Sequence, residues 1–357
     1  MKGRLFSTAL ALTWQRFKFG WLGLRYGEPL EPDETVVLFP QSAARIRAGV
    51  WRVPMHAWVV ELEQGTWSRR LGHRGVLAAL DLLAVVEDQP PTQRFRERLN
   101  WFMADREMNK RVDLTIGGCT FTSPRSPPNG HIRFSVDYQT EAQAGAVIEY
   151  HVGVKSVGRV QLVGEYGLSV ISDIDDTIKI SNVTDKKQLI KGFFFDDYKV
   201  VEGMPGLYRQ LQQLGACFHY VSASPWQLYP SLAPMLNQHY PFGSLSQRHF
   251  YIADQSFARF FMSSKAYKLK AIIDIIERFP KRRFLLIGDS GERDVEVYTE
   301  VAALCPQQVK AILIRRVNCK PETTSHTHRS SVVVRYFDSP HEVSGFACDI
   351  AKAVNCD

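Results

Sequence analysis

Residues 167–179 read Gly-Leu-Ser-Val-Ile-Ser-Asp-Ile-Asp-Asp-Thr-Ile-Lys and set an apolar run directly against a knot of acids. Leu168, Val170 and Ile171 have the character of a short buried strand. The run stops at Asp173, and Asp175, Asp176 and Thr177 follow at once. Clustered carboxylates repel one another, so a fold that gathers them at a strand end needs positive charge among them. A divalent cation with oxygen ligands, such as Mg²⁺, meets that need. Asp173 and Asp175 stand two apart, so both can line one side of the loop that leaves the strand. One can then attack a phosphorus while the other handles the proton of the leaving alcohol. The same letters also describe a plain acidic turn, and partners further along the chain decide between the two.

The chain has 357 residues, which suggests two domains or one large one, and its 45% hydrophobic and 23% charged residues suffice for a sizeable core. The net charge of +7 suits nucleic acid, acidic lipid or phosphorylated substrates equally. The Arg/Lys-aromatic interleaving of a nucleic-acid module is missing, so no nucleic-acid partner is expected. The six cysteines form no Cys-x-x-Cys knuckle, and a chain of this length needs no disulfide staples. A reducing, cytoplasmic setting follows as the expectation.

Residues 1–25 carry Lys2, Arg4, Arg16, Lys18 and Arg25, no acid, and many apolar residues between them. The stretch is too short to span a bilayer, and Arg16 and Lys18 interrupt it. A basic amphipathic N-terminal segment, residues 1–30, lying peripherally on an anionic membrane fits these features. A secretion signal, or an extension packed on the fold, stays open beside it. Residues 31–165 read as a β-rich, sandwich-like accessory domain. Val112, Leu114 and Ile116 alternate with polar residues, as do Ile132, Phe134, Val136 and Tyr138. The spacing predicts helices over 75–86 and 92–107, and a loop over 123–130.

From residue 166 to 357 short apolar strands alternate with amphipathic helices, the mark of an α/β domain with a parallel sheet. Strands are expected near 168–172, 217–222, 283–288, 309–315 and 331–336. Helices are expected near 204–214, 226–237, 264–278, 292–303 and 340–354. Ligands of such a sheet sit at the carboxyl ends of its strands. The first strand ends in Asp173-x-Asp175-x-Thr177. The second ends in Ser222-Ala223-Ser224-Pro225, where hydroxyls and free N–H groups before a helix can hold a phosphoryl oxygen. The third ends in Gly288-Asp289, with Asp294 beyond it, and supplies more carboxylates for a shared metal. Lys265, Lys268 and Lys270 cluster at the start of the preceding helix. Lys268 is the choice for the phosphoryl group, with at least one of the others a solvated helix residue.

This ordered set resembles the haloacid dehalogenase superfamily of phosphohydrolases, whose signature is Asp-x-Asp-x-Thr, then Ser/Thr, then Lys, then Gly-Asp-x-x-x-x-Asp. More narrowly, GLSVISDIDDTIK, VSASPWQLYP, FLLIGDSGERDVEVY and VKAILIRRV are similar to the catalytic domain of the actin-patch phosphatidate phosphatase family. Residues 166–316 carry the likeness, and the first half matches only around MHAWVVE and RLNWFMADREMNKRV. The resemblance implies a Rossmann-like parallel sheet and a Mg²⁺-dependent phosphomonoester hydrolase. Asp173 would be its nucleophile, Asp175 its general acid/base and Lys268 its electrostatic clamp. Ser222, with Thr177 and Ser224, would bind the substrate, and Asp173, Asp175, Asp289 and Asp294 would form the metal site. Phosphatidate would be cleaved to diacylglycerol and phosphate through an aspartyl-phosphate. Asp176 lies outside the pattern and reads either as a residue that backs the site's ligands or as a loop cap. Two other readings remain: a phosphatase for a soluble phosphomonoester, and a non-catalytic lipid- or protein-binding module.

Two side readings complete the set. Cys319, His326 and His328 have irregular spacing for a second metal site and sit in a loop-like stretch. Phe193, Phe194 and Phe195, with Trp226 and Tyr229, would either form an aromatic mouth for acyl chains or pack between the two halves.

Overall fold

The computed structural model describes residues 27–62, 92–153, 155–182, 185–248, 264–317 and 332–356. The basic N-terminal stretch, the helix expected over 75–86 and the Cys319/His326/His328 loop lie outside these residues.

The first half builds a nine-stranded sheet from β1 (Glu34–Leu38), β2 (Gln41–Arg47), β3 (Val50–Glu61), β4 (Asp105–Arg106), β5 (Asp113–Ile116), β6 (Cys119–Thr122), β7 (His131–Gln139), β8 (Val147–Val152) and β9 (Ser156–Val163). The long β3 pairs with β7 from Val50 to Trp58 and also with β1, β2 and β4. Pairing is antiparallel except between β2 and β9. Val53, Met55 and Ala57 of β3 share one buried core with Leu114 of β5, Tyr150 of β8 and Leu162 of β9. Strands remote in hydrogen-bonding order thus meet side to side, so the sheet folds over itself in the sandwich-like manner expected. Among the described residues one helix, α1 (Gln93–Met103), interrupts it, and the Thr92 hydroxyl caps that helix by accepting from the Phe95 N–H at 3.2 Å. The helix expected to reach residue 107 stops earlier because Ala104 turns to extended backbone and Asp105–Arg106 joins β3 instead.

The second half is a six-stranded parallel sheet of β10 (Leu168–Ser172), β13 (Cys217–Pro225), β14 (Gly243–Arg248), β15 (Arg283–Asp289), β16 (Val309–Arg315) and β17 (Val333–Phe337). A small ribbon, β11 (Lys179–Ile180) with β12 (Lys199–Val200), stands apart. The spatial order is β14-β13-β10-β15-β16-β17, so the chain winds outward both ways from β10. Helices α2 (Lys186–Phe194), α3 (Met204–Gln213), α4 (Tyr229–His239), α5 (Ser264–Arg278), α6 (Asp294–Leu304) and α7 (His341–Cys356) accompany it. Side chains alternate across the sheet. Val170, Leu285 and Leu313 pack with α3, α4 and α7, while Ile171, Leu286 and Ile312 pack with α5 and α6. Both faces are covered, which is why the strands read as continuous apolar runs. The order reverses between β10 and β15, and a crevice forms at their carboxyl ends.

Two elements escape the sequence pattern. β14 is Gly-Ser-Leu-Ser-Gln-Arg, too polar to read as a strand, and it forms because β13 beside it supplies the ladder. Helix α2, which no helical spacing announced, carries Phe193 and Phe194 at its end, with Phe195 its cap. All three rings are buried, Phe194 and Phe195 against Phe95 and Phe102 of α1 and Phe193 under the Lys179 ammonium. Trp226 is buried against Trp58 and His131. The aromatic groups therefore pack the two halves together and form no open mouth. Arg98 of α1 fixes the same seam by donating to the carbonyls of Gly192, Phe193 and Asp196. Among the described residues no helix is long and apolar enough to cross a membrane.

Candidate active site

Strand β10 delivers Asp173 to the crevice, and its backbone N–H donates to the Ile287 carbonyl of β15 at 2.9 Å. The carboxylate is only 1% exposed. Lys268 from the first turns of α5 lies at its centre of charge. Its Nζ stands 2.7 Å from Asp173 Oδ1, 2.7 Å from Glu292 Oε2 and 2.6 Å from Asp294 Oδ1. Of the three candidate lysines, Lys268 alone enters the site. Lys265 pairs with Glu300 and Lys270 with Asp274. Thr177 donates to Asp173 Oδ2 at 3.2 Å, so its hydroxyl steadies that carboxylate.

Asp289 ends β15. Its Oδ1 accepts the N–H groups of Gly291 and Glu292, while its buried Oδ2 has no hydrogen-bond partner. Gly288 before it admits Asp294, for a Cβ there would lie 2.5 Å from Asp294 Oδ2 and 2.7 Å from the Tyr298 ring. One lysine thus faces four carboxylates: Asp173, Asp289, Glu292 and Asp294. Burial pushes Asp173 well above the usual carboxylate range, with Lys268 pulling the other way and the neighbouring acids adding to the rise. Burial and the neighbouring acids, Asp294 first, do the same to Asp289. Burial also works against the charge of Lys268, but Asp173, Asp294 and Glu292 outweigh it and raise its pKa well above the ordinary value.

This donor set fits a hard divalent cation. It is all oxygen, carries surplus negative charge and includes the orphaned Asp289 Oδ2. Ligand atoms of Asp173, Glu292 and Asp294 all lie within 4.8 Å of one another. Glu292 was not among the expected ligands, although it lies within the Gly-Asp stretch, and the Asp175 side chain is turned away to other partners.

Asp175 forms a second, separate knot. Its Oδ1 lies 2.6 Å from Lys179 Nζ and accepts from Ser181 Oγ, while its Oδ2 accepts from Ser222 Oγ at 2.9 Å and Ser224 Oγ at 2.7 Å. Burial alone would raise its pKa, but Lys179 and the hydroxyls lower it to about 2. The expected proton donor is therefore an ionised carboxylate in this arrangement, its two oxygens held by Lys179 and three hydroxyls. Ser222 and Ser224, expected on the substrate, donate their hydroxyl hydrogen bonds to Asp175. Lys179 itself lies over the rings of Phe193 and Tyr198, and Arg98 stacks on that Tyr198. Sequence reading missed Lys179. Its only signal was its place four residues after Asp175, which means contact on a helix but nothing definite on a loop. Asp176 caps that loop as expected. It adopts φ +55°, and its Oδ1 accepts from the N–H groups of Ser181 and Asn182.

Comparison with known proteins follows the same boundary. Residues 168–316 match the family model described as the catalytic domain of phosphatidate phosphatase APP1. Phosphatidate phosphatase APP1 of Saccharomyces cerevisiae is 38% identical over 157 residues, covering 43% of this chain and 26% of that protein. An uncharacterized protein of Schizosaccharomyces pombe is 32% identical over 166 residues, covering 45% of this chain and 27% of its own length. The matched segment thus spans about a quarter of the length of these curated relatives. A solved ferredoxin-NADP+ reductase from Plasmodium falciparum aligns at 8% identity and a TM-score of 0.16, over 86% of this chain and 96% of that one, and carries no argument. Over its parallel sheet, the chain resembles the actin-patch phosphatidate phosphatase family.

Proposed function

We propose that this chain is a phosphomonoester hydrolase of the haloacid dehalogenase type, acting on phosphatidate, with residues 166–357 as the catalytic domain and 31–165 as an accessory domain packed on it. The observation that carries this reading is the buried Asp173 carboxylate at a strand end, 2.7 Å from the Lys268 ammonium. Asp173 attacks the phosphorus in line with the departing oxygen, and the P–O bond to the alcohol breaks as the aspartyl-phosphate forms. Lys268 balances charge on the phosphoryl oxygens as it develops. Asp175 accepts a proton from the water that then hydrolyses the acyl phosphate. The proton for the leaving alcohol passes from the Lys179 ammonium through Asp175 to the departing oxygen, and the proton that Asp175 then takes from water restores Lys179. Ser222 and Ser224 hold Asp175 in place for both transfers. Asp173, Asp289 and Asp294, with Glu292 beside them, would hold Mg²⁺. When bound, Mg²⁺ neutralises clustered negative charge and so favours phosphoryl transfer.

Phosphatidate as substrate rests on the family likeness, and the basic segment 1–25 supports a peripheral hold on an anionic membrane from the cytoplasmic side. A soluble phosphomonoester is the second reading, favoured by the burial of the aromatic groups that would have sheltered acyl chains. Phosphate release from phosphatidate in detergent micelles, beside glycerol 3-phosphate and p-nitrophenyl phosphate, separates the two. Mg²⁺-dependent release from phosphatidate above all others is expected, along with a higher melting temperature when Mg²⁺ is added. Activity that survives EDTA, with superimposable melts, would remove the metal. Preference for the soluble esters would remove the lipid.

A further inference from the structure

A cleft of about 720 Å³ opens between the two sheets, on the α5 side of the parallel one. Arg133 of β7, Arg248 at the end of β14, and Lys270 and Arg278 of α5 line it. Asp274 is the one acid among the described residues lining it, and it is engaged by Lys270 at 2.8 Å. Arg133 stands on an exposed position of β7 and makes no ion pair among the described residues. The walls of the cleft still disfavour its charge, for burial lowers the pKa of Arg133, as it does those of Arg248 and Arg278. The phenol of Tyr267 faces both Arg133 and Arg248, and burial first, then Arg133, keeps His56 neutral beside it. Phe134 and Leu245 add apolar surface to the same walls.

We infer that this cleft is a second anion site, separate from Asp173, that takes a phosphate group carried on an organic body. Excess cationic charge on guanidinium forks that the cleft partly desolvates suits a multiply charged, tetrahedral phosphate more than a single carboxylate, and the forks can bind it bidentately. The apolar walls accept the body that carries the phosphate. Tyr267 precedes Lys268 in the chain, and Trp226, which also lines the cleft, follows the end of β13. An occupant would therefore lie beside the catalytic crevice without entering it. The phosphate can belong to a soluble metabolite or to a phospholipid headgroup.

The test uses the full chain and two probes: inorganic phosphate by calorimetry, and phosphatidylcholine vesicles carrying phosphatidylserine by co-sedimentation. Phosphatidylserine is a phosphodiester, so the reaction proposed above does not consume it. Arg133→Glu and Arg278→Glu are at exposed positions and should leave the melting temperature unchanged. Each should weaken at least one probe about tenfold or more, the scale of a lost charge-assisted contact. Loss confined to phosphate assigns a soluble ligand, and loss confined to vesicles assigns a headgroup. If neither probe binds the wild-type chain, or both variants bind as it does, the site does not exist. Such a result leaves the hydrolase reading untouched.

Discussion

At the residue scale the site divides into two knots, one on Lys268 that carries surplus negative charge and one on Lys179 that pairs a single carboxylate. Asp175 is buried, and its ionised state depends on a lysine 2.6 Å away. Removing one partner of such a pair leaves an uncompensated charge, at a cost of about 3–5 kcal/mol. Lys179→Met should lose stability on that scale in urea unfolding and slow turnover, whereas an unchanged midpoint would mean the pair contributes nothing. The sequence made Asp173, Asp175, Lys268, Asp289 and Asp294 legible because each falls at a strand end or helix start in the right order. It hid Lys179 and the engagement of Ser222 and Ser224 by Asp175. Those contacts depend on how a loop folds back, and residue spacing does not encode that.

At the element scale, the close approach of α6 to β15 depends on a missing side chain. Gly288→Ala would drive a methyl into Asp294 and Tyr298, both buried. Overpacking of this kind costs about 1–3 kcal/mol. The variant should melt earlier and also bind Mg²⁺ more weakly, because Asp294 must move; a normal melt with normal Mg²⁺ binding would contradict the packing argument. Strands β10, β13, β15, β16 and β17 of the parallel sheet, and the helices packed on them, were readable from their apolar runs, since both faces are covered. β14 and α2 were not. The first is stabilised by its neighbour despite a polar sequence, and the second buries its aromatic end against α1, a partner from the other half of the chain.

At the scale of the whole molecule, the seam between the halves and the parallel sheet each hide a neutral histidine. His219 lies between Ser244 and Ser169, and burial lowers its pKa to about 3. His56 pairs with His131 across 2.8 Å, and burial first, with Arg133 adding, holds it well below its usual value. Both bind protons more readily when unfolded. Their neutral burial is therefore without penalty above about pH 6.5 and destabilises the fold as pH falls below that value. Between about pH 6.5 and 5 His219 should remove about 1.6 kcal/mol of stability, with His56 acting in the same direction, and a flat unfolding free energy over that range would contradict the assignment. The two halves should unfold together, because Arg98 and the Phe195 and Trp226 rings join them. The most direct measurement for the account as a whole is phosphate release by purified Asp173→Asn beside the wild-type chain, with substrate and Mg²⁺ saturating. Turnover should vanish while the variant stays folded, and an acid-stable phosphoryl group should be found on Asp173 of the wild-type chain only. Retained turnover in Asp173→Asn would contradict the mechanism at its first step.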